Sequence, residues 1–229
     1  MSQPTRLRDI NRADWPRIPA NTVITPDLPS HFVTIEPDGT KQPVIRQHAP
    51  PAIPIRFQGA DFESFICTTR AQRIALAAVR QWVADAAAHR GAMLALVGAT
   101  GAGKSHLLYA ATNALLALDE KVYARPWYTL ANELRYGGVS PFTPTHVLEA
   151  AHVRRMLFEH RIVVIDEVRP TAGTAFDDTE LAMFSCHAWD ETAAVLITTN
   201  VNPLAEVMGA AAASRYEQII VDGPDRRQR

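Results

Sequence analysis

Eight consecutive residues, Gly98-Ala99-Thr100-Gly101-Ala102-Gly103-Lys104-Ser105, have the spacing G-x-x-x-x-G-K-[ST]. These residue types in this order are suited to holding phosphate. Glycines allow the backbone close to the ligand, and the N–H groups of the loop and of the next helical turn converge on one point. The helix dipole adds positive potential there. Lys104 brings an ammonium for β and γ phosphates, and Ser105 a hydroxyl for Mg²⁺. The plain alternative is a glycine-rich turn that binds nothing. The apolar run Met93 to Val97 before the loop and the helical pattern from His106 to Ala111 after it argue against that alternative.

A second group is Ile162-Val163-Val164-Ile165-Asp166-Glu167, four apolar residues followed by two acids. In a parallel sheet, ligands bind beyond the carboxyl ends of the strands. Asp166 then faces the phosphate loop and holds Mg²⁺ through water, and Glu167 polarises an attacking water. Taken alone, the pair also reads as capping acids at a strand end. A third group, Val195-Leu196-Ile197-Thr198-Thr199-Asn200, is another apolar strand with a polar end. Asn200 is placed to orient a water or touch a γ-phosphate, or is simply an asparagine in a turn. A fourth is Ser214-Arg215. A positioned arginine stabilises charge on a transferred phosphoryl group and can act across a subunit boundary. Its plain reading is a surface arginine.

The elements that must position these groups follow from hydrophobic pattern. Thr69 to His89 is Ala-rich and free of Gly and Pro, with Ile74, Ala78, Trp82 and Ala86 at helical spacing. Met93 to Val97 is a buried strand and Lys104 to Leu118 a helix. Val122 to Ala124 is a second strand, and Trp127 to Arg135 a helix. A Gly/Pro-broken loop follows, from Tyr136 to Pro144. Thr145 to Glu159 is predicted as a helix capped by Thr145. Arg161 to Ile165 is a continuously apolar strand, as one covered on both faces should be. Phe176 to Trp189 is a helix, Ala194 to Thr198 a strand, Asn202 to Met208 and Ala210 to Arg215 short helical pieces, and Gln218 to Val221 a last strand. Strands alternating with helices predict a parallel sheet covered on both faces.

Ten of the sixteen prolines fall in residues 1–60. Proline bars helix interiors, so this region reads as an extended arm. Thr22-Val23-Ile24 and His31 to Ile35 are short strand candidates, the second pairing with Pro43-Val44-Ile45 across the Asp38-Gly39 turn. The arm is either a linker or a docking segment for a partner protein, with Trp15 and Phe32 as anchors.

The formal net charge is −1, so no global basic field points to nucleic acid. Arginine far outnumbers lysine, which occurs only at positions 41, 104 and 121. Cys67 and Cys186 stand far apart without metal-ligand spacing, which implies neither a zinc site nor a disulfide framework. No apolar run reaches membrane-spanning length, and Met1 to Ile10 lacks a signal-peptide core. These features predict a soluble cytoplasmic protein.

Taken together, residues 98–108, Val164 to Glu167, Ile197 to Asn200 and Ser214-Arg215-Tyr216 resemble an AAA+ ATPase. They are most similar to the branch of the DnaC/DnaI helicase loaders and the IstB transposition helpers, close to DnaA. His106-Leu107-Leu108, the lead-in Ile53-Pro54-Ile55-Arg56-Phe57 through Phe65, and the closing Val221 to Arg227 resemble that branch. The resemblance implies a P-loop NTPase of the AAA+/ASCE kind: a three-layer α/β sandwich with a five-stranded parallel sheet and no large lid. It implies an ATPase domain over residues 53–229 after a Pro-rich arm over 1–52. ATP would be held by Gly98 to Ser105 and His106, and Mg²⁺ by Ser105 and Asp166. Lys104, Glu167, Asn200 and Arg215 would be catalytic, with Arg215 reaching a neighbour's ATP in an ATP-dependent homo-oligomer. The implied role is loading a DnaB-type replicative helicase while gripping single-stranded DNA through Arg135, Tyr136, Arg154 and Arg155. An IstB-like ATPase working with a transposase is the near alternative. A small-molecule kinase and a nucleotide-switched adaptor are the more distant ones. Many relatives carry an arginine where this chain has His187 to Asp190, so a second arginine acting in trans is not implied.

Overall fold

The computed structural model describes the backbone of residues 22–24, 32–35 and 41–44, and then residues 51–139, 147–148, 150–169 and 175–225. Trp15, the Thr145 cap and Arg226-Arg227 lie outside the described residues. The chain divides into two units, Met1–Ala49 with Val139–His146, and Pro50–Gly138 with Val147–Arg229.

In the first unit, β1 (Thr22–Ile24), β2 (Phe32–Ile35) and β3 (Lys41–Val44) form an antiparallel sheet in that order. Phe32 stands opposite Val44 and Val33 opposite Pro43, which is the hairpin the turn at Asp38-Gly39 predicts.

The second unit is built on five parallel strands: β4 (Met93–Val97), β5 (Val122–Pro126), β8 (Ile162–Val168), β9 (Ala194–Thr199) and β10 (Glu217–Ile220). Their order is β10-β4-β9-β8-β5. Every residue of β4 and β9 is buried, and so are Ile162 to Ile165 in β8. This burial on both faces explains the unbroken apolar runs. Side chains alternate across the sheet. Leu94, Leu96, Val122, Ala124, Ile162, Val164, Ala194 and Leu196 join one core cluster with α1 (Arg70–Ala87) and α2 (Lys104–Ala117). The opposite face is covered from α3 (Trp127–Tyr136), which lies against β5 and β8. Beyond it, α4 (Ala150–Glu159) lies against α3, and α5 (Ala175–Asp190) against α4 and α6 (Ala205–Ala213). The two-residue strands β6 (Gly138–Val139) and β7 (Val147–Leu148) lie between α3 and α4. This is the three-layer α/β architecture expected.

Three details depart from the sequence expectation. The buried face of α1 is Gln72, Ala75, Val79, Trp82, Val83 and Ala86, and Ile74 is exposed. In an alanine-rich helix nearly every four-residue spacing looks apolar, so the pattern leaves the phase open. Trp82 sets it, by donating its indole N–H to the Ala92 carbonyl at 2.9 Å. The helix expected from Thr145 starts at Ala150, and Val147-Leu148 is extended. Its buried residues, Val153, Met156 and Leu157, need only the shorter span. Asp166 and Glu167 lie within β8 rather than past its end. The two helical pieces expected after Asn202 are found within α6, separated at Gly209, whose φ of 78° no helix accommodates.

Among the described residues, no helix is long and apolar enough to cross a membrane.

Candidate functional site

All five strands run the same way, so their carboxyl ends share one edge of the sheet. The segments leaving β4 and β9 carry the phosphate loop and Asn200, and the last residues of the adjacent β8 carry the acid pair. A cavity of about 230 Å³ lies at this edge. Thr100, Gly101, Gly103, Lys104, Ser105 and His106 line it together with Glu167 and Asn200.

The loop is held from both sides. The Gly98 N–H donates to the Thr199 carbonyl at 3.2 Å, tying it to β9. On the other side the Val221 N–H donates to the Val97 carbonyl at 2.7 Å, and a Cβ at Gly98 would come within 2.1 Å of the Val221 oxygen. Only glycine permits that approach. Gly101 has a φ of 82°, and a Cβ there would meet the Asp225 carboxylate. Thr69 caps α1 by accepting from the Gln72 N–H and donates its own hydroxyl to the Asp222 carbonyl at 2.7 Å. The segment after β10 is thereby fastened beside the loop.

Lys104 is the first residue of α2. Its Nζ donates to the Gly98 and Ala99 carbonyls, both at 2.8 Å, and to Asn200 Oδ1 at 2.7 Å. Ser105 donates its hydroxyl to Asp166 Oδ1 at 3.0 Å. Asp166 is buried, and that burial raises its carboxyl above the ordinary range. Hydrogen bonds from Thr198 and Ser105 pull it back down, while the Glu167 charge raises it further. Glu167 is exposed to the cavity and has a φ of 57°. A left-handed conformation at a residue other than glycine costs about 1–3 kcal/mol and marks a position held by its surroundings.

These donors suit a hard cation. A hydroxyl and a carboxylate oxygen side by side match the oxygen preference of Mg²⁺, which keeps most of its waters and takes few protein ligands. No cluster of three or more His, Cys, Asp or Glu residues fit for a metal occurs among the described residues.

Three residues of the site were not read from the sequence as part of it. Arg56 and Phe57 line the same cavity. They come from a turn at Ile55–Phe57 that Asn113 fastens to α2 through the Phe57 and Ala60 carbonyls, at 3.0 and 2.8 Å. Phe57 stacks on Tyr109 with centroids 4.9 Å apart, and Arg56 lies over the Phe57 ring at 4.7 Å. Their only sequence signal was membership of the lead-in motif. Thr198 is fully buried and touches both acids.

His106 points toward the lead-in. Its Nε2 lies 3.0 Å from the Asp61 carbonyl and 3.2 Å from the Ser64 hydroxyl. Arg215 is not among the cavity residues. It donates to the Ala211 carbonyl one turn back, and its Nε has no partner among the described residues. Arg135 and Tyr136 end α3, with Tyr136 exposed. Arg154 is held by a bidentate pair with Glu180 at 2.9 and 2.7 Å, which joins α4 to α5. Arg155 is exposed beside His152 and Glu159.

The strand order, with β9 between the loop strand and the acid-bearing strand, and the site at its edge define a P-loop protein of the AAA+ architecture. The family model of the bacterial DnaA ATPase domain matches residues 58–219, and the chain belongs to that family.

Solved structures share the fold. A crystal structure of the DnaC helicase loader matches with a TM-score of 0.61 at 18% identity, covering 74% of this chain and 100% of that one. A crystal structure of DnaI matches at 0.60 and 17%, covering 79% and 97%. The replication initiator DnaA bound to AMPPCP and single-stranded DNA matches at 0.57 and 18%, covering 73% of this chain and 51% of that one. The chain thus spans about half of that initiator structure. No curated protein matches the chain.

Proposed function

We propose that the chain is an ATP-hydrolysing helicase loader of the AAA+ class, acting on single-stranded DNA. One observation carries the ATPase reading: Lys104, Ser105, Glu167 and Asn200, from three strand ends, converge on one cavity. Loop N–H groups and the Lys104 ammonium take the β and γ phosphates of ATP. Arg56, laid over the Phe57 ring, offers its guanidinium plane at the same cavity for the base. Ser105 and Asp166 would be the oxygen donors for Mg²⁺, which when bound would neutralise charge on the phosphate oxygens. Glu167 orients and polarises the attacking water, and Asn200 fixes the γ-phosphate end together with Lys104.

The site is half of a shared one on this reading. Arg215 stabilises charge on the transferred γ-phosphoryl group of a neighbouring subunit's ATP, so hydrolysis follows homo-oligomer assembly. Residues 53–229 act as the ATPase domain, and residues 1–52 as the segment that engages the partner. The DnaC and DnaI likenesses favour a ring-shaped DnaB-type helicase as that partner. Arg135, Tyr136 and Arg155 form the single-strand contact, a ring for stacking beside cations for phosphates.

The test is turnover and affinity capture. Lys104→Ala is expected to abolish ATP binding and turnover, and unchanged turnover would sink the ATPase reading. With ATP, the wild-type protein is expected to retain a DnaB-type helicase. Retention of a transposase instead would replace the loader reading by the IstB-like one.

A further inference from the structure

Along β8 and β9 the pairing is regular up to Ile165 opposite Ile197 and resumes with Val168 opposite Thr199. Two residues of β8, Asp166 and Glu167, therefore face one residue of β9, Thr198. This is a β-bulge, a device that re-aims side chains beside active sites. In an unbulged strand, successive side chains point to opposite faces, and the two acids would point apart. Here Asp166 reaches Ser105 while Glu167 also opens onto the phosphate cavity. The left-handed backbone at Glu167 makes this possible.

Thr198 sits in the bend. Its Oγ1 donates to Asp166 Oδ1 at 2.6 Å and accepts the Glu167 N–H at 2.8 Å. One hydroxyl thus receives a backbone donor that has left the regular ladder and fixes the neighbouring carboxylate. Its side chain is fully buried, so water does not replace it easily.

We infer that Thr198 is a positioning residue for ATP hydrolysis, locking the Asp166-Glu167 bulge so that both carboxylates serve one phosphate site. It acts through Asp166 and Glu167 and touches no reacting atom. The inference rests on the ATPase reading above. A serine keeps the hydroxyl and is expected to serve; a valine keeps the shape and β-branching and is not.

The experiment measures kcat and ATP affinity for wild type, Thr198→Val, Thr198→Ser and the Glu167→Gln/Thr198→Val pair. Thr198→Val is expected to lose at least about tenfold in kcat, with ATP affinity within about threefold. Thr198→Ser is expected to stay within about threefold of wild type in both. In the Glu167→Gln background the valine is expected to cost clearly less than it does alone, because one of the two carboxylates it positions is gone. Where the valine variant fails to fold, Thr198→Ala is measured against Thr198→Ser, and the same contrast is expected. Wild-type turnover retained in Thr198→Val, or equal losses in the valine and serine variants, overturns the inference alone. A wild-type protein that binds ATP without hydrolysing it overturns the ATPase reading and this inference with it.

Discussion

Lys104 and Asn200, ninety-six residues apart, meet in a 2.7 Å hydrogen bond from Nζ to Oδ1. The bond joins the first turn of α2 to the end of β9, across the mouth of the phosphate loop. It makes Asn200 a partner of the residue expected to carry the phosphate charge. Asn200→Ala is therefore expected to lower kcat by about a hundredfold, the lower end of the scale for loss of one preorganised polar contact. ATP affinity should fall much less, because the loop N–H groups remain. Equal losses in kcat and affinity, read from steady-state kinetics and calorimetric binding, would argue that Asn200 only holds the lysine.

The candidate DNA contacts separate by their partners. Tyr136 is exposed at the end of α3, whereas Arg154 is taken up by the bidentate pair with Glu180. Loss of a base-stacking ring costs about 1–3 kcal/mol. Tyr136→Ala should weaken binding of a labelled oligonucleotide by about tenfold, and Arg154→Ala by less than about twofold. Fluorescence anisotropy decides, and the reverse order would place the strand along α4.

Stability should depend on pH through His160. The side chain is buried, and burial first, then the Arg125 and Lys121 charges, lower its pKa from the ordinary value of 6.5. The Met156 carbonyl and Glu159 act the other way. With the folded pKa below the unfolded one, the unfolded chain binds the proton more readily. This contribution is complete above pH ~6.5 and is lost as the pH falls from there toward the lowered folded value. The melting temperature is expected to drop between pH 7.5 and 5.5, and to drop less in His160→Phe. An equal drop in both proteins would assign the effect to other groups.

Much of this was legible in the chain because the informative residues are contiguous. The loop from Gly98 to Ser105 and the apolar runs of β4, β8 and β9 each carry their own signal. So does the hairpin of β2 with β3, through Asp38-Gly39. What escaped depends on contacts between distant segments. The phase of α1 is set by Trp82 meeting Ala92, which an alanine-rich pattern does not encode. Arg56 and Phe57 reach the cavity because Asn113 fastens their turn to α2. Thr198 reads as an ordinary strand residue, since threonine favours strands. Its role emerges only where β8 bulges against β9. The shift of α4 from Thr145 to Ala150 has the same origin, for Val147-Leu148 fits a helical face and a strand equally well.

The central claim is hydrolysis directed by Glu167 at the cavity lined by Lys104 and Ser105. Its most direct test is phosphate release from Mg²⁺-ATP by wild type and Glu167→Gln, with nucleotide affinity measured on the same preparations. The account predicts turnover in the wild type and a loss of at least about a hundredfold in Glu167→Gln, on the scale of removing a general base. ATP should still bind the variant within about threefold of wild-type affinity. Turnover at the wild-type rate in Glu167→Gln would contradict the account.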